Sequence, residues 1–363
     1  MNIYSFVIIS FLYFYSGFLL FITYNAKKVK EKGAFINNLT NSLVLIFALT
    51  INLVIVNYSD LSNIDFIVFP FDIFMSAFII LFFPLFYLLI YREKKRVKKN
   101  KSPSKDSASI PHAELPLKYD IYRKMSHLVV LGIILFYFTL GFLIQNIFTN
   151  ILLYLPEFLS EVFYSIFVIE GDIRVDMVFT QYLVVFLVGI SLIGLLTADF
   201  IRILKPEIYP LKKVNRILRE KELGARLGPQ ISMSIGCFSI ILLYGLFQPL
   251  GPLIICTSMT MAIFGDISSN LFGRSLGKKK IRNTKKTYVG LFSGIFIAFI
   301  SGISMLIILR DFYIISIAGF FLLPIIGSLI IGAIDYADLE IDDNLTYNFI
   351  VTTVLFYIAI FIA

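Results

Sequence analysis

Apolar runs about as long as the roughly 20 residues a helix needs to cross a bilayer recur along this whole sequence, which limits the folds open to it more than any other feature. They fall near residues 3–24, 39–57, 66–91, 128–148, 177–198, 231–247, 250–272, 289–309, 313–334 and 346–363. With 58% of 363 residues hydrophobic and a mean hydropathy of +0.86, too few polar residues remain to coat a soluble globule. The expected fold is all-α: a polytopic integral membrane protein of about ten transmembrane helices. The first run lacks a basic leader and a small-residue cleavage site, and Lys27 and Lys28 follow it, so it is expected to be retained as a helix.

The cationic residues order these runs. All but two of the 32 Lys and Arg lie in the alternate loops 25–38, 92–124, 199–230 and 265–288, leaving only Arg174 and Arg310 on the other side. Short loops rich in Lys and Arg stay cytoplasmic, so these four are expected in the cytoplasm and both termini outside. A cell membrane is expected in preference to an endoplasmic reticulum membrane. The net charge of +8 is then topology, and no nucleic-acid partner is expected. Cys237 and Cys256 sit inside apolar runs with no metal or disulfide spacing. Three segments are anticipated: a three-helix membrane segment over 1–91, a basic, Ser- and Pro-bearing linker over 92–122 that is flexible or lies on anionic headgroups, and a seven-helix segment over 123–363. Leu211, Val214, Ile217 and Leu218 are spaced for an amphipathic helix at the membrane surface, and residues 156–171 form an acidic counterpart on the outer side.

Polar residues cluster at the ends of the runs on the basic-loop side. Asp266 lies late in its apolar run, near the helix C-terminus, where the macrodipole disfavours negative charge. It therefore requires compensation, either by an ion pair with Arg274 or a lysine or by a cation shared with Asn270 one turn on. The following GRSLGKKKIRNTKKT is either a plain orientation loop or a phosphate-binding one, since its glycines permit close backbone approach and its cations match phosphate charge. An acid followed by a basic loop is what a magnesium nucleotide requires. Arg123, Lys124 and His127 stand together in RKMSH, a pattern shared with interfacial anchors. Asp335, Asp338, Glu340, Asp342 and Asp343 crowd a loop with no Lys or Arg, which favours a metal or docking onto the basic loops. Asp199 and Arg202 are spaced as a local ion pair.

R-K-x-x-H at 123–127, D-x-x-R at 199–202, G-D-x-x-x-x-x-x-G-R-x-x-G-K at 265–278, K-K-T-x-x-G at 285–290 and D-D-N-L-T at 342–346 occur in the order found in the dolichol kinase and phytol kinase family. Over about residues 120–360 the chain resembles these CTP-dependent lipid kinases. The resemblance implies transfer of the γ-phosphate of CTP to the hydroxyl of a membrane isoprenoid alcohol, of dolichol or polyprenol type. It implies Mg2+ on Asp266, with Asn270, Asp342 and Asp343 as further ligands. Arg123, Lys124, Gly273, Arg274, Gly277, Lys278, Lys285, Lys286, Thr287 and Gly290 would bind the nucleotide. Asp266, His127, Lys286 and Asp343 would carry catalysis, with His127 or a loop carboxylate as proton acceptor. The chain departs from the family pattern at Val289 (usually Glu), Ser269 (commonly Ala) and Asn348 (often Pro). Phosphatidate cytidylyltransferases are similar through the 273–287 stretch, but their P-G-H-G-G and D-R-x-D signature is absent. A CDP-lipid-forming enzyme is the second expectation. A non-enzymatic transporter is the third, disfavoured because the acids lie at helix ends rather than at the midplane.

Overall fold

The computed structural model describes residues 3–58, 65–99, 122–124, 127–159, 177–219, 222–282, 284, 286–312 and 315–362. In chain order the helices are α1 (Ile3–Lys28), α2 (Lys32–Tyr58), α3 (Phe71–Lys99), α4 (Gly132–Phe138), α5 (Leu140–Tyr154), α6 (Val178–Leu204), α7 (Pro229–Tyr244), α8 (Leu250–Ser275), α9 (Tyr288–Ile308), α10 (Ile317–Ala337) and α11 (Asp343–Ile362). Eight of them are long and apolar enough to cross a membrane. No strand occurs among the described residues, only one isolated bridge between Lys280 and Thr287. The protein is an all-α, multi-pass membrane protein, as its apolar runs predict; with no water in the hydrocarbon, helices satisfy their own backbone groups.

Two expected spans take a different form. The run at 128–148 breaks at Thr139, where the backbone leaves the helical region and α4 and α5 meet at a 47° bend. Gly141 makes that bend possible, because a Cβ there would lie 2.0 Å from the Phe136 carbonyl oxygen. The run at 231–247 yields α7, only 16 residues long, or about 24 Å at 1.5 Å per residue. Gly228 and Pro229 start it, Pro being preorganised for the first helical turn, and almost every residue of it is buried. It is a central strut held inside the bundle.

One core joins Ile8 and Leu12 of α1, Leu45 of α2, Met75 of α3, Tyr182 and Leu192 of α6, Phe238 of α7, Ile254 of α8 and Leu355 of α11. The boundary expected near residue 92 therefore does not divide the packing: α2 lies against α7, and α3 against α6. The start of the expected linker also changes character, since α3 continues as helix through Arg92 to Lys99; residues 100–121 lie outside the described ones. The amphipathic helix expected around 211–218 is instead two short 3-10 turns, Pro206–Ile208 and Lys212–Ile217. Pro206 and Pro210 explain this by removing backbone donors and blocking a continuous helix. Leu211 and Val214 are exposed while Leu218 is buried, so no single apolar face forms. Of the acidic stretch 156–171, residues from 160 onward lie outside the described ones.

The closest helix pair is α8 with α9. Gly290, Gly294 and Ala298 recur every fourth residue along α9 and face Gly265, Ser269 and Gly273 of α8. Small residues let membrane helices approach where no hydrophobic drive between them exists. A Cβ on Gly290 would stand 2.6 Å from the Ser269 carbonyl oxygen, so the backbones would have to part. Gly290→Ala is expected to cost about 1–3 kcal/mol, as overpacking does, read as a lower melting temperature of the detergent-solubilised protein. An unchanged melting temperature would refute this tight seam.

Candidate functional site

The described residues between Leu276 and Thr287 are folded together rather than open. Ile281 N–H donates to the Lys286 carbonyl at 2.9 Å, Tyr288 N–H donates to that of Lys279 at 3.2 Å, and the Ile281 side chain is buried. The Arg282 guanidinium lies 4.6 Å from the centroid of the Tyr336 ring. Thr287 caps α9 by accepting from Gly290 N–H at 3.2 Å. The Thr287 hydroxyl also fills the space where a Cβ of Gly277 would fall, at 2.3 Å. Gly273, Gly277 and Gly290 thus crowd around Thr287 and serve the α8–α9 junction. Arg274 and Lys278 are exposed, and Lys285 lies outside the described residues.

Asp266 finds its compensation across the bundle. The Lys124 ammonium donates to its Oδ2, 142 residues away in sequence, and His127 Nδ1 approaches the same oxygen to 3.7 Å. Lys124 and His127 are buried, and His127 Nε2 has no hydrogen-bond partner. Asn270 is half-buried one turn beyond Asp266.

A second knot ties the acidic segment to the start of α9. Lys286 Nζ contacts Asp335 Oδ1 at 2.9 Å, Asp338 Oδ1 at 3.3 Å and Asp343 Oδ2 at 3.5 Å. Burial opposes the charge of Lys286, but Asp343 and Asp335, with Asp338, outweigh it and hold the ammonium above the usual lysine range. Asp335 is buried and doubly supported, accepting from Ser269 Oγ at 2.9 Å and Tyr347 OH at 3.3 Å. Ser269 thereby gains a use. A π-helical turn over Tyr347–Val351 sets Tyr347 against Asp335; such turns often mark functional sites. Asp342 caps α11, accepting from Asn344 N–H at 3.0 Å, while its own N–H donates to Asn37 Oδ1 at 2.9 Å. Asn348 donates to the Asn344 carbonyl at 2.8 Å.

Arg123 pairs with a different carboxylate. Its Nη1 lies 3.3 Å from Glu222 Oε1, and both side chains are buried. Arg202 pairs with Asp199 and also donates to the carbonyls of Glu222 and Arg226, each at 2.7 Å, while Asp199 Oδ2 accepts from Gly228 N–H at 3.1 Å. The D-x-x-R pair is therefore more than a local ion pair: it fastens the 222–228 segment to α6. From the other side, Asn38 Oδ1 accepts from Leu227 N–H at 3.0 Å and Arg226 Nη2 donates to Asn37 Oδ1 at 3.4 Å. Sequence reasoning passed over Asn37, Asn38, Glu222, Arg226 and Tyr347. The signal for the first two was present: Asn37, Asn38 and Asn41 are three amides within five residues of a largely apolar helix.

Among the described residues no group of three His, Cys, Asp or Glu side chains is arranged to hold a metal ion by itself. Magnesium that arrives with a nucleotide needs only one or two carboxylates, the remaining positions going to water and phosphate. Asp266 and Asp343 are hard oxygen donors, the chemistry such a magnesium takes, and each also faces a lysine, Lys124 and Lys286, whereas Asp342 is occupied with capping and Asn37. No family model, no curated protein and no solved structure matches this chain.

Proposed function

We propose that the protein is a lipid kinase that transfers the γ-phosphate of CTP to the hydroxyl of a membrane isoprenoid alcohol, of dolichol or polyprenol type. The observation that carries this proposal is convergence. Lys124 and His127, Asp266 of α8, Lys286 before α9 and Asp343 of α11 come from four separate stretches and form two linked acid–base knots at one end of the bundle. Phosphoryl transfer requires mostly positioning and charge neutralisation, which such a site supplies.

Asp266 and Asp343 would hold Mg2+, which when bound neutralises charge on the phosphates. Exposed Arg274 and Lys278, with Lys285, meet the phosphates, and Lys286 holds Asp335, Asp338 and Asp343 in one place. The lipid hydroxyl enters from the bilayer at the helix ends. The bond from the γ-phosphorus to the bridging oxygen breaks, a bond to the lipid oxygen forms, and CDP leaves. The hydroxyl proton requires an acceptor within hydrogen-bond reach, and His127 and Asp343 are the groups of the site with that capacity. This end of the bundle faces the cytoplasm of a cell membrane, with both termini outside, in keeping with the distribution of Lys and Arg.

The by-product provides the test. Purified protein given CTP, magnesium and polyprenol is expected to release CDP and form a lipid monophosphate. Release of pyrophosphate from CTP and phosphatidate would instead identify a CDP-lipid-forming enzyme, and no turnover with either lipid would leave the kinase proposal without support.

A further inference from the structure

At the same end of the bundle, a cavity of about 460 Å³ opens between the α1–α2 turn, the 224–226 segment and the stretch following α10. Its size falls within the roughly 300–1,000 Å³ typical of small-molecule sites. Glu31, Lys32, Arg226, Asp338 and Glu340 furnish its charged wall. None of the ordered sequence motifs includes these residues, and two of them come from the N-terminal helices, which carry no motif residue at all.

The wall is fixed by its own contacts. Glu31 Oε2 accepts from Ala225 N–H at 3.0 Å, and Arg226 Nη1 donates to the Gly33 carbonyl at 3.4 Å. Arg226 is only 5% exposed, and its Nε lacks a hydrogen-bond partner. Asp338 belongs both to this wall and to the Lys286 knot, at 3.3 Å from Nζ, so the cavity adjoins the candidate site.

The charges narrow the occupant. Three carboxylates repel a phosphate, while Lys32 and Arg226 offset two of those charges and leave a bare cation only one net negative charge. A lipid chain could fill it only by covering the charged Glu31, Lys32 and Glu340 with hydrocarbon. A group that is neutral yet carries both donors and acceptors meets every requirement. We infer that the cavity takes the nucleoside end of the nucleotide, with the phosphates leaving it toward the exposed cations of the basic loop, Arg274 and Lys278; this rests on the nucleotide-dependent reaction proposed above. Ribose hydroxyls and an exocyclic amine would donate to Glu31 and Glu340, and a base carbonyl would accept from Arg226.

The test uses the full-length protein in detergent, with CTP binding measured by calorimetry and KM measured separately for CTP and for polyprenol. A Cβ on Gly33 meets only Arg226 Nη1, at 3.7 Å, so the backbone there accepts a side chain. Gly33→Leu then fills the cavity and should weaken CTP binding by about tenfold or more, with the effect on KM for CTP and not on KM for polyprenol. Glu340→Gln, at an exposed position, should weaken it by roughly tenfold, the loss of a charged hydrogen bond. It carries the test alone if Gly33→Leu does not fold. Wild-type affinity for CTP in both folded variants overturns the cavity assignment while leaving the kinase proposal intact. A wild-type protein that binds no CTP overturns both.

Discussion

Asp266→Asn is expected to abolish phosphoryl transfer and to loosen the fold at once. The loss of activity follows from the charge, since Asn preserves size and hydrogen bonding but no longer attracts a divalent cation toward the phosphates. The loss of stability follows from the partner. Lys124 is buried and donates to Asp266 Oδ2, so neutralising the acid strands an ammonium, at a cost of about 3–5 kcal/mol for breaking one side of a buried pair. Relief of the unfavourable helix C-terminus offsets at most about 1 kcal/mol of that. The two effects separate in the double variant Asp266→Asn/Lys124→Met. Its melting temperature should return most of the way to wild type while CDP release stays at background. An Asp266→Asn protein that releases CDP at the wild-type rate per folded molecule would sink the site, leaving Asp266 as a counter-ion for Lys124 alone.

The helices were readable because membrane spans declare themselves by length and apolarity, without any need to know their neighbours. Interruptions were less readable. The break at Thr139 has no proline, and the cue that remains, Gly141, resembles any other glycine in a membrane helix. The turns at 206–217 were misjudged differently, since four apolar residues at helical spacing outweighed Pro206 and Pro210 although a proline's missing donor is the stronger local constraint. Site residues could be nominated from their type and their place at helix ends, but not their partners. Whether Asp266 met Arg274 or a lysine depended on how two segments 142 residues apart come together. Asn37 shows the same limit, because its amide is informative only once Asp342 N–H and Arg226 are placed beside it. The packing across the boundary expected at residue 92 is illegible for this reason too. A charged linker marks a change of composition, whereas the core that crosses it is set by contacts between α2 and α7 and between α3 and α6.

Lys286 is where the sequence and the geometry part most clearly, and its removal should have the second large effect. A lysine in a basic loop suggests a free cation awaiting phosphate, yet its ammonium lies within 2.9–3.5 Å of Asp335, Asp338 and Asp343. Of these, Asp335 is 7% exposed and sits between α8, α10 and α11 through Ser269 and Tyr347. Lys286→Met therefore leaves a buried carboxylate beside two like charges and should destabilise the protein by about 3–5 kcal/mol. Two further variants separate charge from shape. Lys286→Arg keeps the charge and should retain most of the stability, whereas Asp335→Asn added to Lys286→Met removes the stranded charge and should recover much of the melting temperature. Activity should not follow that recovery, because Asp343 would no longer be drawn toward the cluster that Lys286 holds and the carboxylate pair with Asp266 would be lost. Melting temperature and CDP release measured on one detergent preparation of each variant decide the matter. If Lys286→Met melts with the wild type and only its KM for CTP rises, the lysine is a phosphate ligand and the three carboxylates are held by something else.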